Sequence, residues 1–354
     1  MELSGKRLLI IKPSSLGDIV HTLPVAHALK RCFPDIRLGW IVQDIYAELL
    51  ERDATIDRVY PIHISSTSDP HAARLAYLQA FQETVKTLRL LRGRLRDFTY
   101  DYVLDLHASF RSGLLGRTNP GGVRLGFKDA RELNTFFQDQ LLEVPAGIEH
   151  ALQKNLLFCD YLGARVAADD FYMCFSQKDK GAVESFLDRQ GVAADTVIVY
   201  AHPAARWQTK FWPAAKWAEL ADRVAGPGKQ MVFGGSGQDV AYIETITRLM
   251  KTRPLVSAGC FSLAQSMALI QRSALYVGLD SGPMHMAAMS GVPVVALFGP
   301  THPSRVGPYG VEHRIVRAEA LDCLECRKRS CPHLRCMNGI SVEMVYDAAL
   351  SLLP

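Results

Sequence analysis

Short apolar runs alternate with amphipathic stretches along nearly the whole chain. Arg7–Ile11 (RLLII) offers apolar side chains to both faces of an extended backbone, the pattern of a strand buried in a parallel sheet. Over 17–31 the apolar residues Ile19, Val20, Leu23, Ala26 and Leu29 return at helical spacing, and 36–42 is strand-like again. After a longer helical region, 102–106 (YVLDL) and Val123–Phe127 continue the alternation. In the second half, 197–200, 230–233, 274–278 and 294–298 predict strands, with helices over about 214–225, 239–251, 262–271 and 284–290 between them. This order predicts an α/β protein of two doubly wound parallel-sheet domains, 1–170 and 171–354, joined where a helical segment over 151–162 gives way to polar residues. Ligands of open parallel sheets sit outside the carboxyl ends of the strands. Two such domains facing across a cleft direct attention to the loops 12–18, 107–113, 202–213, 234–239 and 279–285.

Composition narrows the class. The length of 354 residues suits two domains, and 48% apolar with 21% charged residues excludes disorder and collagen-like repeats. The net charge of +4 does not point to a nucleic-acid partner. No stretch approaches the roughly 18 apolar residues of a membrane span. The apolar run in MELSGKRLLIIKPSS is too short for a signal-peptide core, so a cytoplasmic protein is expected. Of eight cysteines, Cys32, Cys159, Cys174 and Cys260 are scattered, while Cys323, Cys326, Cys331 and Cys336 crowd into fourteen residues. Four thiolates at this spacing are enough for a tetrahedral zinc site, although zinc ribbons place a longer loop between their cysteine pairs. Structural zinc, free or redox-sensitive thiols, and a disulfide all stay open.

Four loops carry candidate chemistry. KPSSLGD (12–18) has neither the glycine pattern of a dinucleotide site nor that of a P-loop, which removes the main support for an oxidoreductase or a nucleotide triphosphatase. It offers a flexible Gly17 and the carboxylate of Asp18 at a helix start, read either as a helix cap or as a general base. The helix-end charge would keep Asp18 ionised and weakly basic, suited to a hydroxyl whose proton leaves late. In GLDSGPMHMAA (278–288), Asp280, Ser281 and Gly282 open a helix with Pro283 near its first position and His285 in its first turn, read either as an ordinary capped helix with a packed histidine or, as the combination favours, as a phosphate site. AHPAARWQTKFWP (201–213) carries Arg206, Thr209 and Lys210, the lysine suited to a diphosphate. FGGSGQD (233–239) is a glycine-rich turn able to pass under a nucleoside, or simply a tight turn.

KPSSLGDIVHTLP, TKFWP, GLDSGPMHMAA and FGPTHPSRVGPYG occur in this order and spacing, and together they resemble the ADP-heptose:lipopolysaccharide heptosyltransferases, glycosyltransferase family 9. DYVLDLHASFRSGLL and GFKDAREL are most similar to the members that add the first heptose. The resemblance implies a GT-B fold of two Rossmann-like domains, the acceptor on the N-terminal one and the nucleotide sugar on the C-terminal one. It implies inverting transfer of heptose from ADP-L-glycero-D-manno-heptose, with no metal cofactor required for catalysis. Motif by motif, Asp18 falls on the general base and Lys210 on the cation beside the donor phosphates. Thr209, Asp280, Ser281, Gly282 and His285 fall on the donor loops, and Asp239 near an acidic residue by the adenosine ribose. Lys12, Ser15, Gly17, Arg111 and Arg131 fall on the acceptor side. His302 stands where the family motif usually has Asp.

The acceptor so implied, lipid A bearing Kdo sugars, is anionic and membrane-embedded, which implies a peripheral place on the cytoplasmic face of the inner membrane. Residues 84–96 carry Lys86, Arg89, Arg92, Arg94 and Arg96 without an acidic residue, read either as a solvated helix face or as a contact for anionic groups. Competing readings are a GT-B transferase for another nucleotide sugar and a non-catalytic nucleotide-sugar binder, which would not need Asp18. A zinc-containing nucleic-acid module lacks the interleaved aromatic and basic stripe it would need.

Overall fold

The computed structural model describes residues 2–63, 74–318 and 321–354. The chain divides into two compact units, Met1–Asp170 and Phe171–Pro354.

The first unit holds six parallel strands: β1 (Arg7–Ile11), β2 (Arg37–Gln43), β3 (Arg58–Ile62), β4 (Tyr102–Asp105), β5 (Val123–Phe127) and β6 (Gln140–Leu142), in the order β3-β2-β1-β4-β5-β6. Helices cover the sheet, so the central strands lose contact with water on both faces, and Leu8, Leu9, Ile10 and Ile11 are fully buried. Tyr60, Leu91, Leu95, Tyr100, Val103 and Leu115 pack with β1 in one core cluster. The winding reverses between β1 and β4, whose ends pair Ile11 with Asp105. The loops that leave those two strands are therefore neighbours, the place where open sheets of this kind bind ligands.

The second unit repeats the plan with β7 (Val197–His202), β8 (Lys229–Phe233), β9 (Leu255–Val256), β10 (Leu275–Leu279), β11 (Val294–Leu297) and β12 (His313–Val316), in the order β12-β11-β10-β7-β8-β9. Its separate core includes Trp212 and Trp217, edge to face at 5.1 Å between ring centroids. Here the reversal lies between β7 and β10, where His202 pairs with Gly278, so the loops after 202 and 279 spring from adjacent strands.

Two features differ from the sequence pattern. The helix expected over 17–31 is two helices, Leu16–Val20 and Leu23–Cys32. Pro24 explains the break, because it has no N–H to give and fits only the first turn of a new helix. The strands β3, β6, β9 and β12 were not marked by the pattern, and each lies at or beside a sheet edge position: β3 and β6 end one sheet, β9 and β12 the other.

Candidate active site

In the first unit, Ser15 caps the helix Leu16–Val20, and Asp18 is the third residue of that helix. The Ser15 amide and hydroxyl donate to Asp18 Oδ2 at 3.0 and 2.7 Å. Oδ1 lies 3.8 Å from Lys12 Nζ, whose side chain is 8% exposed against 43% for Asp18. Lys12 Nζ also donates to the Leu106 carbonyl at 2.6 Å. The two oxygens differ in surroundings: Oδ2 serves the cap, and Oδ1 stands beside an ammonium. Burial works to raise the Asp18 pKa, but Lys12 and the two Ser15 bonds outweigh it and hold the carboxyl below its ordinary range. Burial lowers the Lys12 pKa, with Asp18 and Asp105 pulling the other way.

The motifs did not single out Asp105 or His107. Asp105, at the end of β4, is 1% exposed. Its Oδ1 accepts from the amides of His107 and Ala108 at 3.1 and 3.0 Å. Its Oδ2 accepts from Ser112 Oγ at 2.9 Å and Asn134 Nδ2 at 2.7 Å. This one carboxylate shapes the loop opposite Lys12 and holds Ala108 at a φ of +58°. His107 is half-buried, and its pKa is lowered by burial and by Lys12, so a neutral imidazole sits in the field of Asp18. The available signal was a polar residue ending an otherwise buried strand. Gly17 is buried and Ser15 exposed; Arg111 is half-buried in the first turn of Phe110–Gly116, and Arg131 is exposed. The loops of these two arginines are joined by the Phe110 amide, which donates to Glu132 Oε2 at 3.2 Å.

In the second unit, Lys210 Nζ donates to the Asp280 carbonyl at 2.8 Å and to Asp280 Oδ2 at 2.7 Å. The two side chains are 15% and 7% exposed, and His285 Nε2 lies 3.9 Å from Asp280 Oδ1. An ammonium has three N–H groups, so one remains for an anion's oxygen. Ser281 precedes the helix Gly282–Met289 in an extended conformation, without using its hydroxyl to cap that helix. An anchored cation next to a helix start is an arrangement that binds phosphate. Thr209 is buried, and its hydroxyl donates to the Lys328 carbonyl at 2.9 Å, tying this loop to the cysteine-rich segment. Asp239 repeats the Asp18 motif: its Oδ2 accepts from the Ser236 amide and hydroxyl, both at 2.7 Å. His202, at the end of β7, is buried, and its pKa is pushed down to about 4 by burial against the opposing pull of Asp239 and Gly234, so it is neutral.

The segment holding the four cysteines packs beside this site. The Glu325 and Arg327 amides donate to the carbonyls of Gly299 and Pro300 at 3.1 and 2.8 Å. His302 pairs through Nε2 with Glu325 at 2.9 Å, and Arg317 reaches the same carboxylate at 2.8 Å. All eight cysteines are free thiols. Among the described residues no three His, Cys, Asp or Glu side chains converge on a point that could hold a metal ion, so the geometry gives the zinc expectation no support.

Two doubly wound units, each with its chemistry-bearing loops at the point where the winding reverses, are the architecture of the GT-B glycosyltransferases. Residues 88–336 match the profile of glycosyltransferase family 9 (heptosyltransferase), and the chain belongs to that family. It is 29% identical to lipopolysaccharide heptosyltransferase 1 of Pseudomonas aeruginosa over 92% of this chain and 88% of that one. A family 9 glycosyltransferase from Veillonella parvula shares the fold with a TM-score of 0.83, at 23% identity over 99% and 98% of the two chains. E. coli heptosyltransferase WaaC with ADP-2-deoxy-2-fluoro heptose does so with a TM-score of 0.72, at 24% identity over 98% and 99%.

Proposed function

We propose that this glycosyltransferase moves heptose from ADP-L-glycero-D-manno-heptose onto the Kdo-bearing inner core of lipopolysaccharide, inverting the anomeric centre and using no metal. The first unit takes the acceptor and the second the nucleotide sugar. The observation that carries the reading is the ionised Asp18, with its Oδ1 left over from the cap and standing beside Lys12. Asp18 accepts the proton of the acceptor hydroxyl as that oxygen attacks the anomeric carbon from the side opposite ADP. Because its basicity is low, the proton transfers late, once the new C–O bond has begun to form. Lys12 keeps Asp18 oriented and ionised, and Arg111 and Arg131 contact acceptor anions.

At the donor, the departing ADP gains negative charge. The remaining N–H of Lys210 and the start of the helix Gly282–Met289 stabilise it electrostatically, with Ser281, Gly282 and His285 around the phosphates and Asp239 near the ribose. Fixed charge and dipoles there do the work a divalent cation would otherwise do. The E. coli structure with an ADP-heptose analogue, together with the lipopolysaccharide heptosyltransferase 1 relative, supports this donor and a first-heptose acceptor. Among the described residues no helix is long and apolar enough to cross a membrane. The enzyme meets its lipid acceptor from the cytoplasmic side, through the cationic face of 84–96.

The test is incubation with ADP-heptose and, in parallel, UDP-sugars, each with Kdo-lipid A, followed by detection of released nucleotide. ADP release with ADP-heptose alone is expected, unchanged after EDTA treatment. Turnover with a UDP-sugar instead would overturn the donor assignment. Loss of activity in EDTA that Mg²⁺ restores would overturn the metal-free mechanism.

A further inference from the structure

The transfer reaction uses none of the four cysteines between 323 and 336, and only Cys336 is part of the hydrophobic core. They line one cavity of about 360 Å³ together with Thr209 and Pro300. Cys326 is exposed and Cys323 and Cys331 are half-buried, which leaves three of the four within reach of solvent, while Cys336 is buried. The backbone amides of His333 and Leu334 are directed at the Cys331 sulfur, and Lys328 and Arg335 add positive charge, so the Cys331 thiol is held below its ordinary range. Burial pushes the neighbouring Cys336 thiol up.

The segment is also fastened to the donor loops. Thr209, the residue before Lys210, donates to the Lys328 carbonyl, and the Glu325 and Arg327 amides hold Gly299 and Pro300. Cys336 packs so closely on Gly299 that a Cβ at that glycine would lie 2.9 Å from its sulfur. Movement of the thiol loop is therefore transmitted to the backbone beside Lys210.

We infer that this loop is a peroxide-sensitive thiol site, in which Cys331 joins Cys323 or Cys326 as a disulfide and thereby weakens nucleotide binding at the donor loops. The Cys331 thiolate attacks one oxygen of hydrogen peroxide; the O–O bond breaks, hydroxide leaves, and a sulfenic acid forms. The second thiol attacks that sulfur, and its proton leaves with the sulfenic hydroxyl as water. Two thiols are oxidised to one disulfide, and one peroxide is reduced to two waters. A disulfide fixes the separation of its Cα atoms within about 7 Å, so the oxidised loop is held in one arrangement while fastened to Thr209, Gly299 and Pro300.

The coupling rests on the donor reading of Lys210, and the experiment separates the two. Full-length protein is treated with a few equivalents of hydrogen peroxide and alkylated, its disulfides are mapped by peptide mass, and ADP is titrated calorimetrically into the reduced and oxidised forms. A disulfide containing Cys331 is expected, with an ADP Kd raised about fivefold or more and restored by dithiothreitol. Reduced Cys331→Ser should bind ADP like the parent and ignore peroxide. The inference is overturned if Cys331 stays open to alkylation after peroxide, if the disulfide leaves ADP binding unchanged, or if Cys331→Ser responds as the parent does. Failure of the reduced protein to bind ADP would sink the donor reading instead, and the disulfide map would still decide the thiol chemistry.

Discussion

Asp18 divides its work between two oxygens, and that division sets what a substitution will do. In Asp18→Asn the remaining carbonyl oxygen can still accept from Ser15, but the amide nitrogen then meets the Lys12 ammonium and no base remains. The expected result is a fall in kcat of about 10²–10⁴-fold with ADP affinity unchanged, measured by steady-state kinetics and ADP titration. Wild-type turnover in the variant would remove Asp18 from the mechanism. The pH dependence has a definite sign. The folded pKa of Asp18 is lowered, so its carboxylate and its pairing with Lys12 persist above the ordinary carboxylate range and are lost only as pH falls through the lowered value. The acid limb of kcat/KM should therefore lie below the ordinary aspartate range. An acid limb near about 6.5, the ordinary histidine value, would instead report a group other than Asp18. Asp18 and Lys210 could be picked out as candidates because their motifs are local in sequence. Asp105 was not, since its importance lies in which partners it gathers, and Asn134 comes from 29 residues away.

Secondary structure was readable where burial is two-sided. β1, β10 and β11 are apolar on both faces and announce themselves, whereas the edge strands have mixed burial: Arg58 in β3 and Arg314 in β12 are exposed, and β9 is only two residues long. An edge strand needs neither a continuous apolar run nor strict alternation, because one side of its ladder already faces solvent or a loop. The helix Arg74–Arg96 is buried on one side only. Leu91 and Leu95 enter the core, while Lys86, Arg89, Leu90, Arg92, Arg94 and Arg96 are exposed. A cavity of about 480 Å³ lies against Lys86, Arg89 and Leu90, giving the face an apolar recess among its cations. Near an anionic bilayer each basic side chain contributes about 1 kcal/mol, so reversing Arg89, Arg92 and Arg96 to Glu should weaken binding to anionic phospholipid vesicles by at least about a hundredfold. Sedimentation with such vesicles measures this, and unchanged binding would leave the face as solvated helix surface.

The sequence made two α/β domains legible because each repeats the alternation of buried strand and amphipathic helix, and a full set of such elements can bury its own core. The structure builds those cores from separate residues: β1, Leu91, Tyr100 and Val103 in one, Trp212, Trp217, Val277 and Val295 in the other. A ligand stabilises only the cooperative unit whose folded form it contacts. If ADP binds the second unit, as proposed, it should therefore act on that unit alone. At about one hundred times its Kd, the gain is about 2.7 kcal/mol, close to a hundredfold slowing of amide exchange through global opening of the second unit. Hydrogen exchange followed by mass spectrometry should show added protection in β7, β10 and β11, and none in β1, β2 and β4. Equal protection of both sets would show that the chain opens as one cooperative unit. Protection confined to β1–β6 would reverse the assignment of donor and acceptor, and with it the direction in which the hydroxyl proton and the leaving diphosphate are handled.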